Sequence, residues 1–281
     1  MLKQEQQRLA KELIRLHLCD DIMVLPNAWD TGSAVMYSKA GFKAVGTSSA
    51  GVAYSLGYSD CEQLPFDLLL EYVDRTSHRI DVPLTVDIEE GFGSTPCEIA
   101  QNVSEVIKKG AVGVNLEDSF DAKSKTLTAI DYHRNIITAV ADLKDKNNIP
   151  FVLNARINTH WYDLSDKSHL LDIAIERGNA CLSAGADCVF IPGIADADSI
   201  RTLVQQIKGP INILASTACP STYALQELGV SRLSVGSSPA RACLGLTQKI
   251  IEELMNQGTF TSMYEQSIPY DKANKLFLRD E

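Results

Sequence analysis

The chain predicts a (β/α)8 TIM barrel of the α/β class, with an opening helix and a long C-terminal helical extension. Three observations carry this reading. Short apolar, often β-branched runs alternate with helically spaced segments along the chain, and glycines recur where a helix hands over to the next run. No G-x-G-x-x-G fingerprint follows the first run, as an open doubly wound sheet would require.

Residues 3–18 place Leu9, Leu13, Ile14 and Leu16 among charges, which predicts an amphipathic helix. The candidate strands are 23–25, 44–47, 84–86, 113–116, 151–154, 188–191, 211–214 and 233–235, eight in all. Between them, segments such as 98–109 and 171–182 repeat apolar residues at helical spacing. Lys39-Ala-Gly-Phe, Lys109-Gly-Ala-Val, Ser183-Ala-Gly-Ala-Asp and Glu227-Leu-Gly-Val mark αβ junctions, because glycine ends a helix in the left-handed conformation at little cost. From Pro239 the pattern stays helical through Met255 and past Gly258 to Tyr264, more than barrel closure requires. Residues 1–281 read as one barrel domain whose C-terminal helices run from about 239 to 281.

A composition of 45% hydrophobic and 22% charged residues is that of a soluble globular chain, so disorder is not expected. The formal net charge of -10, with no basic stripe, argues against a nucleic-acid partner. No stretch approaches the roughly eighteen apolar residues of a membrane span. The polar start Met1-Leu-Lys-Gln-Glu-Gln-Gln lacks a signal-peptide core. A cytoplasmic protein without a membrane partner is the expectation. Seven scattered cysteines without a C-x-x-C pair read as reduced thiols, and the five histidines form no zinc motif.

Acidic residues stand where apolar runs end. Asp87 and Glu89 close Val82-Pro-Leu-Thr-Val86, Glu117 and Asp118 close Val112-Gly-Val-Asn-Leu116, and Arg156 follows Phe151-Val-Leu-Asn-Ala155. A barrel gathers the C-terminal ends of its strands at one mouth, so these distant residues become neighbours. Asp87 and Glu89, two apart on an extended segment, point to one side, and Glu117 and Arg156 arrive from the next two strands. Clustered carboxylates repel unless a cation or shared protons intervene, and Mg²⁺ takes oxygen ligands partly through water. The acids therefore suggest a metal. Arg156 suggests an anionic substrate, since a guanidinium grips carboxylate or phosphate bidentately; pairing with Glu117 or Asp87 is its structural alternative. For Asp118 and Asp60 the alternative is a helix cap or loop charge.

Gly46-Thr-Ser-Ser-Ala-Gly-Val offers N–H groups and hydroxyls that suit an anion, and its small residues also suit close packing. Lys123 and Lys125 occupy the polar loop 119–126, a lid over substrate or a solvated loop. No predicted strand ends in lysine, which disfavours a Schiff-base aldolase. His160 follows a strand near Arg156 and, with Trp161, is a candidate for the mouth or a plain surface loop. The turn Val235-Gly-Ser-Ser-Pro-Ala-Arg241 falls where barrels bind phosphate, and its serines also suit a helix cap. Gly91-Phe-Gly93 is a weak nucleotide signature and reads as a loop.

From about residue 25 to 245 the chain resembles the isocitrate lyase and phosphoenolpyruvate mutase superfamily. The resemblance rests on Leu25-Pro-Asn-Ala-Trp-Asp30, the segment from Gly46-Thr-Ser-Ser-Ala-Gly to Tyr58-Ser-Asp60, Val86-Asp-Ile-Glu-Glu-Gly-Phe-Gly93, Gly113-Val-Asn-Leu-Glu-Asp118 and Asn154-Ala-Arg156, in that order. It implies a Mg²⁺-dependent lyase, or one using Mn²⁺, that cleaves a bond to C3 of a small 2-oxo acid through a metal-bound pyruvate enolate. It implies Asp87, Glu89 and Glu117 as metal ligands, Asp60 near the metal, and Ser48, Ser49, Ala50 and Arg156 at the substrate's carboxylate. Trp29, within the first motif, and His160 join the substrate-binding candidates. Arg156, Glu117, Asp60 and Lys123 are the catalytic candidates.

Two departures narrow the activity. Glu89 stands where the family commonly has aspartate. Loop 119–126 lacks the cysteine and histidine of the K-[KR]-C-G-H lid of isocitrate and methylisocitrate lyases, and the asparagine of the K-x-N-S lid of phosphoenolpyruvate mutases. Cleavage of a small oxo acid such as oxaloacetate, by decarboxylation or hydrolysis, is the expected reaction. C–P chemistry, as in phosphoenolpyruvate mutase, phosphonopyruvate hydrolase or carboxyphosphonoenolpyruvate phosphonomutase, is the alternative, and a non-catalytic metabolite-binding barrel is the reading from another class. The resemblance also implies a homotetramer, a dimer of dimers that exchange a C-terminal helix.

Overall fold

The computed structural model describes residues 3–278. Helix α1 (Lys3–Leu18) is the predicted opening helix. The strands follow as β1 (Met23–Leu25), β2 (Asn27–Ala28), β3 (Val45–Thr47), β4 (Leu84–Asp87), β5 (Gly113–Glu117), β6 (Phe120–Asp121), β7 (Thr126–Leu127), β8 (Val152–Arg156), β9 (Cys188–Phe190), β10 (Ile211–Leu214) and β11 (Arg232–Ser234). The remaining helices are α2 (Thr31–Lys39), α3 (Ser49–Ser55), α4 (Phe66–Ser77), α5 (Pro96–Lys108), α6 (Ile130–Ala141), α7 (Leu143–Asn147), α8 (Leu170–Ser183), α9 (Ala197–Gln206), α10 (Thr222–Glu227), α11 (Ser238–Asn256), α12 (Thr261–Glu265) and α13 (Tyr270–Leu276).

Nine strands form one parallel sheet in the order β1-β11-β10-β9-β8-β5-β4-β3-β2, and β6 and β7 make a separate antiparallel hairpin. Each of the eight predicted runs overlaps a barrel strand. The ninth comes from Pro26, which has no N–H to give and splits the first strand in two. β1 pairs with β11 and β2 with β3, so the broken strand closes the cylinder as the first of a (β/α)8 barrel. Its break is bridged by the Pro26 carbonyl, which accepts from Gly46 N–H at 2.9 Å.

The glycine junctions behave as the sequence predicts: Gly41, Gly110, Gly185 and Gly229 all have positive φ. At Gly185 a Cβ would also lie 2.6 Å from Ala141, so packing excludes a side chain independently of conformation. Helix α5 begins on a capping box, with Thr95 accepting from Glu98 N–H and Glu98 reaching back.

Apolar side chains fill the layer between strands and helices, whereas the lumen is unusually polar for a barrel, whose interior is ordinarily branched and apolar. Asn115, Asn154, Asn212, Thr85 and Arg232 are all buried. Arg232 on β11 reaches Asn115 on β5, which is four strands away, and this contact crosses the lumen. Helix α1 lies over the lower end. A Cβ on Gly113 would come 2.8 Å from both Leu13 and Thr85, and Gln6 Nε2 donates to Ile107 and Ala111 carbonyls at 2.6 and 2.9 Å. His17 on the same helix is buried; desolvation, with Arg232 nearby, pushes its pKa down to about 4, so it is neutral.

Beyond the barrel, α11 leaves Leu244, Ile251, Leu254 and Met255 exposed. Glu253 ties α11 to α12 by accepting from Thr259 Oγ1 and from the N–H groups of Thr261 and Ser262. Helix α13 returns to the barrel beside α2, where Arg79 donates to the Phe277 carbonyl at 3.0 Å. Among the described residues no helix is long and apolar enough to cross a membrane.

Asp118, just past β5, is a structural anchor. Its Oδ2 accepts from Arg177 Nε of α8 at 2.9 Å, its Oδ1 accepts from Asn158 N–H at 2.9 Å, and Arg177 Nη2 donates to the Thr128 carbonyl at the foot of the β6–β7 hairpin. Removing one partner of a buried pair strands the other charge. Asp118→Ala is therefore expected to lower unfolding free energy by about 3–5 kcal/mol in urea titrations. A loss below about 1 kcal/mol, the range of surface pairs, would show that the ion pair is not an anchor.

Candidate active site

The C-terminal ends of the barrel strands open into a cavity of about 840 Å³, counting its open mouth. One wall is acidic, with Asp60, Asp87, Glu89 and Glu117 all lining it. The structure thus brings together four acids that are spread over 58 positions of the sequence.

Local geometry places each one. Asp87 ends β4, with its N–H donating to Thr47 Oγ1 at 2.8 Å and its Oδ2 accepting from Ser49 Oγ at 3.2 Å. Burial raises its pKa and Arg156 opposes the rise. Glu117 ends β5, and burial pushes its pKa up to about 7 although Arg156 Nε lies 2.7 Å from Oε2. Glu89 departs from the extended segment that its spacing predicts: it sits beyond β4 in a turn with φ +53°. There its Oε2 accepts from Glu62 N–H at 2.8 Å, while burial, then Asp87 and Asp60, push its pKa up to about 8. Asp60 Oδ1 is buried without a hydrogen-bond partner among the described residues.

Arg156 makes the pairing with Glu117 that its sequence position allows and still lines the cavity. Nε faces Glu117 and donates to Asn158 Oδ1 at 2.9 Å, while the guanidinium lies 5.4 Å from the Trp161 ring and 5.7 Å from Phe190. Its terminal nitrogens donate to no protein acceptor among the described residues, and Arg156 lines the cavity. Such a fork suits a carboxylate. Asn158, which sequence reasoning missed, holds the pair together by donating from Nδ2 to Glu117 Oε2 at 3.0 Å. Its only signal is its place two residues after Arg156.

Across from Arg156, Ser48, Ser49 and Ala50 line the cavity at the start of α3, where Ser48 Oγ caps the helix by accepting from Gly51 N–H. Ser237, Ser238 and Arg241 line it at the start of α11. Three candidates do not reach the cavity lining. Trp29 packs behind α3, where a Cβ on Gly51 would lie 2.9 Å from it, and its N–H donates to Ser33. His160 pairs with Thr159 Oγ1 at 2.9 Å and packs its main chain against Gly193, so Trp161 takes the mouth position instead. Lys123 is exposed at the tip of the β6–β7 hairpin, where its N–H donates to Asp121.

That hairpin is the predicted lid loop. It is fastened to the segment after β8 by Lys125 Nζ to Asp163 Oδ2 at 2.8 Å and by Phe120 stacked on Tyr162 at 4.3 Å. Gly91-Phe-Gly93 is a loop packed against α5, where a Cβ on Gly91 would meet Ile99 at 2.6 Å.

The acids fit a hard divalent cation by donor chemistry: all are carboxylates, burial and mutual repulsion raise three of their pKa values, and one buried oxygen lacks a partner. Among the described residues, however, no three His, Cys, Asp or Glu side chains converge as a ligand set. Each acid with a partner accepts from a local donor, Glu117 from Asn158, Glu89 from the Glu62 N–H and Asp87 from Ser49.

Residues 13–255 match the sequence profile described as phosphoenolpyruvate phosphomutase. The chain is 35% identical over 222 residues to an uncharacterized protein of Mycobacterium tuberculosis H37Rv, covering 79% of this chain and 80% of that one. It is 29% identical to the 2-methylisocitrate lyase of Escherichia coli K12, covering 88% and 89%. A structure provisionally described as a lyase/mutase, from Burkholderia cenocepacia J2315, superposes with a TM-score of 0.92 at 32% identity over 99% of both chains. Oxaloacetate acetylhydrolase in complex with oxalate shares the fold, with a TM-score of 0.83 at 21% identity over 95% and 93%. The chain therefore belongs to the phosphoenolpyruvate phosphomutase family, within the isocitrate lyase and phosphoenolpyruvate mutase superfamily.

Proposed function

We propose that the protein is a lyase that cleaves a bond to C3 of a small 2-oxo acid of the oxaloacetate type, using Mg²⁺ or Mn²⁺. One observation carries the reading: four carboxylates and an arginine with uncommitted terminal nitrogens line the same cavity. A divalent cation at Asp87, Glu89 and Glu117 would supply positive charge beside substrate oxygens that become more negative as the bond breaks.

The chain's own residues do the rest. Arg156 binds the substrate carboxylate, kept in plane by Trp161 and Phe190 and held at Nε by Asn158 and Glu117. The N–H groups of Ser49 and Ala50, in the first turn of α3 and so without helical partners, face the same ligand with the serine hydroxyls. Decarboxylation releases CO2, sends the electrons of the broken bond to the keto oxygen and ends when C3 takes a proton from solvent, so it asks little of the lid. The hairpin, which carries neither cysteine nor histidine, accords with that chemistry. C–P chemistry is the second reading, supported by the family profile and by Ser237, Ser238 and Arg241 where barrels hold phosphate.

Incubation with Mg²⁺ and oxaloacetate, 2-methylisocitrate, phosphonopyruvate or phosphoenolpyruvate, followed by NMR, is expected to show pyruvate from oxaloacetate, and Glu117→Gln is expected to abolish it with the fold intact. The absence of pyruvate, and of oxalate with acetate, from every oxo acid sinks the lyase reading. A rearranged phosphonate would select the second.

Metal binding carries a pH signature. Glu117 and Glu89 have folded pKa values of about 7 and about 8, above the ordinary 4.5, so the native state holds more protons than the unfolded state across that window. Stability of the metal-free protein then falls as pH rises through it. Mg²⁺ takes deprotonated carboxylates, so its stabilisation grows with pH. Thermal melts are expected to show a lower metal-free Tm at about pH 8.5 than at about pH 5.5, with a larger Mg²⁺-induced rise at the higher pH. Oxalate should add to that rise, and a non-catalytic barrel without a metal site would show neither effect.

The exposed apolar face of α11 supports a homo-oligomer in which neighbouring copies cover Leu244, Ile251, Leu254 and Met255. Light scattering is expected to give a multiple of the 30.8 kDa chain mass, reduced by joint Leu254→Asp and Met255→Asp. A monomer at micromolar concentration would refute this assembly.

A further inference from the structure

Beneath the cavity, the lumen holds a charge that the chemistry above leaves unused. Arg232 is 0% exposed, and its Nε and Nη1 have no hydrogen-bond partner among the described residues. Its Nη2 donates across the lumen to Oδ1 of Asn115 at 3.2 Å. Burial pushes its pKa down to about 10, which leaves it protonated at neutral pH. Burying such a charge opposes stability. Packing alone gives no reason to keep it.

Its effect falls on one amide. A guanidinium has donors only, so the Asn115 atom that faces it must be the carbonyl oxygen, and Asn154 Nδ2 donates to the same oxygen at 2.9 Å. A hydroxyl or an amide in place of Arg232 could accept as well as donate and would tolerate the flipped rotamer. An arginine does not. With Oδ1 held from below by two donors, Asn115 Nδ2 donates to no protein acceptor among the described residues, and Asn115 lines the cavity. It stands between the acids and the arginine: in the strand register it pairs with Asp87 on β4 and Asn154 on β8, two residues before Glu117 and Arg156 respectively.

We propose that Asn115 is a substrate-binding residue whose side-chain N–H2 donates to an oxygen of the bound keto acid, and that Arg232 is the positioning residue that fixes the amide in that orientation. The proposal rests on the reading of the cavity as a keto-acid site, which it deepens. It gives the lumen's polarity a purpose, since Arg232 and Asn154 act on the ligand only through Asn115.

The probe is oxalate in MgCl2, titrated by calorimetry. Asn115→Asp is isosteric and still accepts from Arg232, but sets an anionic oxygen where the donor was; it is expected to weaken oxalate by about 100-fold or more without lowering Tm. Arg232→Met is expected to weaken oxalate by about tenfold while Tm stays equal or rises, and Arg232→Lys, which restores a donor-only cation, to recover most of the affinity. Oxalate binding within about threefold of wild type in Asn115→Asp or Arg232→Met overturns the proposal. Crystal structures without ligand supply the second arm. The Asn115 amide is expected in one rotamer in the wild type and flipped or split in Arg232→Met; an unchanged amide removes the positioning role whether or not oxalate binds. Failure of the wild type itself to bind oxalate would count against the keto-acid reading, and the crystallographic comparison would still decide the role of Arg232.

Discussion

The mutual repulsion of four carboxylates on one cavity wall is the constraint to which the rest of the mouth answers. Each would rather face water, yet the strand ends hold Asp87 partly and Glu117 almost wholly out of it. Desolvation and proximity both favour the protonated forms, which is why Glu117 and Glu89 are driven toward neutrality. The surrounding residues relieve the strain piece by piece. Arg156 lies against Glu117, Asn158 donates to the same carboxylate, Ser49 donates to Asp87 and the Glu62 N–H donates to Glu89. These partners are all donors, and each offsets part of the negative charge that the strand ends bring together.

The barrel itself was legible because its determinants are local. Apolar runs of strand length, helical spacing between them and a left-handed glycine at the junctions each depend on a few consecutive residues, and all eight runs became strands. The acids were legible for a related reason, since a residue that ends a barrel strand is assigned to the mouth by topology alone. Finer placement failed where a turn or a distant partner intervenes. Glu89 left the extended segment because the chain reverses at φ +53° directly after β4. Trp29 and His160 have the right sequence neighbours, but Gly51 and Gly193 draw them into packing outside the cavity lining. Asn115 and Arg232 were invisible for the opposite reason. Asn115 interrupts an apolar run and Arg232 stands just before one, and the partner that explains each lies across the lumen, 117 positions away.

The β6–β7 hairpin shows how strength is distributed around the site. At its foot, Arg177 joins the buried Asp118 to the Thr128 carbonyl, and Thr128 N–H donates back to the Ser119 carbonyl at 2.9 Å. Asp118 also accepts from Asn158 N–H, so the same anchor steadies the residue that bridges Glu117 and Arg156. At the tip, Lys125 and Asp163 form an exposed ion pair, which contributes little in water. The Phe120–Tyr162 stack adds about 0.5–1.5 kcal/mol. The tip is also tied by Ser165 N–H, which donates to the Lys125 carbonyl at 2.9 Å, but only the foot carries a buried ion pair. Because Tyr162 lines the cavity, breaking the stack frees a cavity wall while leaving Asp118, Asn158 and Arg156 in place. Movement of the tip alone would therefore leave Arg156, Glu117 and Asn158 in the geometry that their mutual contacts set.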